Sequence, residues 1–297
     1  MQTPNTSAGL DGRVVVITGG ARGIGRAYTV GFLKAGAKVV STDRSWEGTE
    51  PFDPALTAGG ANLFTADMDV TNDAAIDAVF EKTIERFGTV DALINNAALR
   101  QRELFPPSGR TTTLETTDAH WQKSFGVNIF GALKVTRRFI RPMIEQKRGS
   151  IINIVSSGIL NFSQGGAYSA LRPNSQEMPY QSSKAALATL SFYLADEVRV
   201  HNVAVNVMIP GHTRTTGFDE QNIARFAAGG KHVGPQPLVP EHMVPLAMHL
   251  AAQDAGSITG KMFDVVTWNQ EHGLGGTDRW EDHSFTYDEL RARALAK

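Results

Sequence analysis

Tyr180 and Lys184 stand four residues apart in the run Tyr180-Gln181-Ser182-Ser183-Lys184. On a helix this spacing puts both side chains on one face, about 6 Å apart. A phenol with a pKa of about 10 is a poor base at neutral pH. A cationic amine beside it stabilises the phenolate and lowers that value, which makes a general acid/base for an alcohol–ketone couple. Taken alone, such a pair is also what a solvated helix face carries. A second run bears on the same chemistry. Thr18-Gly19-Gly20-Ala21-Arg22-Gly23-Ile24-Gly25 joins a β-branched stretch to an amphipathic one. Glycines there let the backbone approach a pyrophosphate, and the first N–H groups of the following helix face the anion. The spacing is G-x-x-x-G-x-G, not the commoner G-x-G-x-x-G. Between a strand and a helix it predicts dinucleotide binding at Gly19, Arg22, Gly23, Ile24 and Gly25. Asp43 follows Gly25 by 18 residues, at the end of the next strand. A carboxylate there accepts hydrogen bonds from ribose hydroxyls and repels a 2′-phosphate, which favours NAD over NADP. Arg22 and Arg44 pull the other way, since a nearby Arg can hold the extra phosphate.

These groups need a scaffold, and the chain alternates short β-branched runs with longer amphipathic ones. Strands are expected at 14–18, 37–42, 62–65, 90–94, 151–155, 203–209 and 261–266. Helices are expected from the glycine turn to about 35, and at 73–87, 118–145, 180–200 and 243–252, with Gly36 and Gly88 as stops. This rhythm predicts one α/β domain over residues 1–297. Its core is a Rossmann-like, doubly wound, mostly parallel sheet of about seven strands with helices on both faces. Two long irregular segments, near 161–178 and 211–240, fall where ligands bind in open α/β sheets and are expected to form substrate wall and lid. A C-terminal extension runs from about 268 to 297, and the residues do not decide whether it packs against a neighbouring subunit.

Further landmarks resemble the single-domain branch of the short-chain dehydrogenase/reductase family over about Gly12 to Val266. They are the glycine turn, Asn95-Asn96-Ala97-Ala98 with Ala98 in the usual glycine position, and Asp69-Val70. Asn128 in VNIFG, Gly149 to Ser156, the Tyr-x-x-x-Lys run, Pro210-Gly211 and Ile258-Thr259-Gly260 complete the set. The resemblance implies a catalytic set of Asn128, Ser156, Tyr180 and Lys184. Ser156 would donate to the substrate oxygen, Lys184 would also bond the nicotinamide ribose, and Asn128 would relay protons to Lys184 through water. Asp69 and Val70 would contact adenine, Asn96 would border the cofactor, and Thr213 would contact the nicotinamide amide, with Thr215 a weaker candidate. Ser157 competes with Ser156, but an ungapped count from Gly149 favours Ser156, and alternate strand residues face opposite ways. Tyr168 is a decoy: its i+4 partner is Arg172, and Pro173 would interrupt a helix. The family also implies a homotetramer or homodimer.

Composition narrows the rest. Lys plus Arg is 29 against 30 Asp plus Glu, so no charge excess points to nucleic acid or an anionic membrane. The absence of cysteine excludes disulfides, thiolate zinc sites and a cysteine nucleophile. Neither a signal peptide nor a membrane-spanning stretch is expected, so the expected location is cytoplasmic. No G-x-S-x-G surrounds Ser156 and no H-E-x-x-H occurs, which disfavours a serine hydrolase and a metalloenzyme, and no metal is expected. Arg100 and Arg102 either face an anionic substrate group or are solvated surface charges, the commoner case. His212, Trp268 and His272 could reach the site, and His242 and His249 are expected on a helix surface. The expected function is an NAD(H)-dependent oxidoreductase interconverting a small secondary alcohol and a ketone. The alternative is a non-catalytic dinucleotide-binding sensor or scaffold on the same fold.

Overall fold

Runs such as Val14-Val15-Val16-Ile17 are apolar on both faces of a strand, so they are stable only between two layers of helices. The computed structural model, which describes residues 9–100, 103–105, 112–159, 178–230 and 235–296, has that arrangement. Seven strands form one parallel sheet: β1 (Val14–Thr18), β2 (Lys38–Asp43), β3 (Leu63–Asp67), β4 (Ala92–Asn95), β5 (Gly149–Ile154), β6 (Val203–Ile209) and β7 (Met262–Asp264). Their spatial order is β3-β2-β1-β4-β5-β6-β7, so the order reverses beside β1, between it and β4. That reversal is the switch point where open α/β sheets bind ligands.

Alternate strand residues feed two cores. Val15, Ile17, Ile94 and Ile152 pack with α1 (Gly23–Lys34), α7 (Val244–Ala251) and α8 (Val265–Glu271). Val14, Val16, Leu93 and Ile151 pack on the other face, with α2 (Asp73–Phe87), α4 (Ala132–Glu145) and α5 (Tyr180–Val198). α3 (Asp118–Phe125) runs into α4 through a π-helical turn, Gly126–Gly131, so the expected long helix carries one widened turn. α6 (Thr216–Ala227), α9 (Thr277–Trp280) and α10 (Tyr287–Leu295) are the other α-helices among the described residues.

Several expectations need correction. The stretch 211–240 is not irregular throughout, because Thr215 accepts a hydrogen bond from Phe218 N and starts α6. The last strand does not reach Val266. Asp264 accepts from Thr267 N at 2.9 Å and turns the chain into α8. His242 is fully buried, not on the surface: Pro240–Met243 is a 3-10 turn in which its ring nitrogen meets Val239 O at 2.7 Å. Trp268 lies in the core between His249 and His272, stacked on His272 at 4.1 Å. Arg102, Tyr168, Arg172 and residues 161–177 lie outside the described residues. No helix among the described residues is long and apolar enough to cross a membrane.

Candidate active site

The glycine turn closes on itself. Gly19 adopts φ +70°, and a Cβ there would stand 3.0 Å from Ala97 Cα, so the turn needs both a positive φ and close backbone approach. A Cβ on Gly25 would run into the Gly19 carbonyl oxygen. α1 then begins at Gly23 with exposed Arg22 as its N-cap and no capping side chain. Its first-turn N–H groups therefore have no side-chain acceptor, while Ile24 is buried and anchors the helix to the core. This is a cradle that fits a phosphate.

Asn96 ties the turn to β4. Its side-chain amide donates to Thr18 O at 3.0 Å and Gly19 O at 3.1 Å, and its backbone N–H donates to Thr18 Oγ1. At the end of β2, Asp43 accepts from Ala21 N at 3.1 Å and Arg44 N at 2.8 Å. Its oxygens keep spare lone pairs for a ribose. Arg44 is 3.6 Å from Glu103, a carboxylate that also accepts from Arg100 N. Asp69 closes a local turn by accepting from Thr71 and bonds none of the other candidates, whereas Val70 is buried against Gly131.

Asn128 sits in the π turn, 1% exposed. Its Oδ1 accepts from Leu99 N at 2.8 Å, and its Nδ2 donates to Leu99 O at 3.0 Å and Ser183 Oγ at 2.8 Å. Ser183 in turn donates to Tyr180 O at 2.7 Å. The Asn128 side chain thus links the segment after β4 to the first turn of α5, and both amide protons are committed. Sequence reasoning did not single out Leu99 or Ser183, although Ser183 lies within the Tyr-x-x-x-Lys run.

Lys184 is 2% exposed and donates to Ile154 O, the last residue of β5, at 2.7 Å. Its amine lies 5.9 Å from the centroid of the Tyr180 ring. Burial pushes its pKa down to about 7, and the Arg100 guanidinium adds to the effect. The amine is therefore poised between charged and neutral, not held as a permanent cation. Arg100 is half-buried rather than fully solvated. Ser156 is half-buried two residues beyond Ile154 and accepts weakly from Gly158 N at 3.4 Å. β5 has already ended there, so strand alternation does not separate Ser156 from Ser157.

Thr213 is buried and donates to Gly211 O at 3.0 Å. It does not bond to the glycine turn. Its neighbour Thr215 does reach α1: a Cβ on Gly23 would stand 3.0 Å from Thr215 Cγ2.

Among families, the one described as short chain dehydrogenase matches residues 13–225. A fluoren-9-ol dehydrogenase of Terrabacter sp. (strain DBF63) is 50% identical over 284 residues, covering 93% of this chain and 77% of that protein. This chain belongs to the short-chain dehydrogenase family. Members are oxidoreductases of CH–OH groups that use a nicotinamide dinucleotide, and the chain is an enzyme of that class. The 3-oxoacyl-[acyl-carrier-protein] reductase FabG of Escherichia coli (strain K12) is 28% identical over 86% of this chain and 96% of its own. A crystal structure of L-sorbose reductase from Gluconobacter frateurii, complexed with NADPH and L-sorbose, superposes with a TM-score of 0.70. It is 26% identical over 87% of this short-chain dehydrogenase and 96% of that chain.

Proposed function

We propose that this short-chain dehydrogenase oxidises a secondary alcohol flanked by aromatic rings, with NAD as the hydride acceptor and one catalytic domain spanning the chain. The observation that carries the reading is the buried Lys184 amine, pinned to Ile154 O at 2.7 Å and 5.9 Å from the Tyr180 ring. It stands at the carboxyl end of β5. A bound nicotinamide supplies the acceptor for the carbinol hydride.

The protein groups do the rest. Tyr180 Oη takes the hydroxyl proton, and its phenolate form is stabilised whenever Lys184 carries its proton. Ser156 Oγ donates to the substrate oxygen and orients the carbinol. The Asn128 side chain is saturated by Leu99 and Ser183, so its part is to fix the floor of the site. Gly19, Gly23 and Gly25 with the α1 amides hold the pyrophosphate, Asn96 keeps the turn closed, and Asp69 and Val70 flank the adenine. Thr213 meets the carboxamide.

Asp43 supports NAD, because its carboxylate repels a 2′-phosphate and Glu103 draws Arg44 away from that position. The fluoren-9-ol dehydrogenase supports the aromatic alcohol. Exposed Phe130 in the π turn and exposed Phe192 and Tyr193 on α5 support a homodimer or homotetramer joined through these helices. A cytoplasmic location fits the same reading.

A panel of secondary alcohols with NAD and NADP, followed by absorbance of the reduced nicotinamide, tests the proposal. Fluoren-9-ol with NAD should give the highest kcat/KM. Faster turnover of aliphatic or sugar alcohols would overturn the substrate assignment, and faster turnover with NADP the coenzyme assignment.

A further inference from the structure

The C-terminal segment folds back on the same chain, over the loop that follows β6. Phe285 and Leu290 bury themselves against Phe218 and Phe226 of α6. The backbone joins as well: Leu238 bridges Thr213 on one side and Glu281 on the other. Val239 N donates to Trp280 O, and Asp282 N to Pro237 O, both at 2.8 Å. Residues 213, 238 and 281 thus form a narrow three-stranded patch at the edge of the site.

Arg214 is the knot of this patch. Its guanidinium forks onto Asp219 of α6 at 2.9 and 2.8 Å. It also donates to Asp282 at 3.1 Å and Ser284 at 2.9 Å, and it stacks on Phe285 at 4.1 Å. Its hydrogen bonds to the carboxylates of Asp219 and Asp282 hold its pKa above the ordinary guanidinium value despite burial. A planar fork satisfied on several edges fixes the backbone that carries it more firmly than a single ammonium contact would. That backbone is the span between Thr213 and Thr215, whose methyl group packs on Gly23 at the first turn of α1.

We propose that Arg214 is a positioning residue for the coenzyme, and that residues 277–296 are the strap through which it acts. The strap holds Thr215 against the glycine turn and fixes Thr213 two residues away, so that this end of the site is formed before the coenzyme arrives. Preformed geometry avoids an ordering cost on binding. The inference rests on the reading above that a nicotinamide dinucleotide lies over the glycine turn.

The test uses the full-length chain and NADH as probe, titrated by calorimetry beside Arg214→Met and Arg214→Lys. Hydrogen exchange of residues 212–227 is followed in parallel. Arg214→Met should weaken NADH by about tenfold or more and speed exchange of 212–227 in the coenzyme-free protein, as expected when positioning groups shift by about an ångström. Arg214→Lys should restore only part of the affinity, because it keeps the charge without the fork. Should Arg214→Met fail to fold, Asp282→Asn keeps the shape, removes one charged contact, and should move both readouts the same way by less. NADH affinity and exchange that match wild type in the folded variants would overturn the strap alone. A wild-type chain that binds neither NADH nor NADPH would overturn the proposed function, and the strap with it.

Discussion

Lys184 is where burial and chemistry conflict most directly. A lysine ammonium is rarely buried without a carboxylate, and the Lys184 amine donates to a main-chain carbonyl, Ile154 O. Its pKa in the fold is about 7 against an ordinary 10.5. Because the folded value is the lower one, the unfolded chain binds more protons between about 7 and 10.5, and this group's contribution to stability rises with pH across that window. Below about 7 the amine is charged in both states and the full penalty stays. Relative to Lys184→Met, wild type should therefore gain stability between pH 7 and 10, read as the difference in urea midpoints. Arg100→Met should move the lower limit of that window upward by removing a like charge. A wild-type midpoint that tracks Lys184→Met at every pH would show that the amine is not desolvated.

At the scale of elements, the π turn and α5 share two tasks. Asn128 points inward and holds Leu99 and Ser183, whereas Phe130, two residues on, is 56% exposed. Phe192 and Tyr193 on α5 are 36% and 71% exposed. Aromatic side chains on two helices of one layer suit burial against a second copy. Tyr193→Glu should shift the chain toward monomer in equilibrium sedimentation while leaving the fold intact, whereas a monomeric wild type would rule this face out. The widened turn itself was not legible in the sequence: nothing in VNIFG separates a π turn from an α turn, and Asn128 meets Leu99 from within it. α8 is different, because its signal was present. Asp264 with Thr267 three residues on is a helix start, but Val265 and Val266 are β-branched and continue the strand pattern.

For the whole molecule, the sheet was readable because its five inner strands, largely buried on both faces, leave apolar runs that helices must cover, whereas the edge strands β3 and β7 are partly exposed. Gly36 and Gly88 marked helix ends correctly, each with a positive φ. The half of the site that lies along the chain was also readable: the glycine turn, Asp43, and the Tyr180–Lys184 spacing are local patterns. What was not readable is long-range. Arg214 meets Asp282 across 68 positions, and no periodicity announces such a partner. His242 looked like a surface residue until the 3-10 turn at Pro240 aimed it inward.

In the proposed reaction the Tyr180 hydroxyl moves the proton, while the cradle around Gly19 to Gly25 binds the coenzyme independently of it. Tyr180→Phe removes one oxygen atom and leaves the ring in place. In this variant kcat for the alcohol should fall by on the order of 10²- to 10⁴-fold, the usual range for a lost general acid/base, while the NADH dissociation constant stays within about threefold. Turnover equal to wild type in that variant, with NADH still bound, would contradict it.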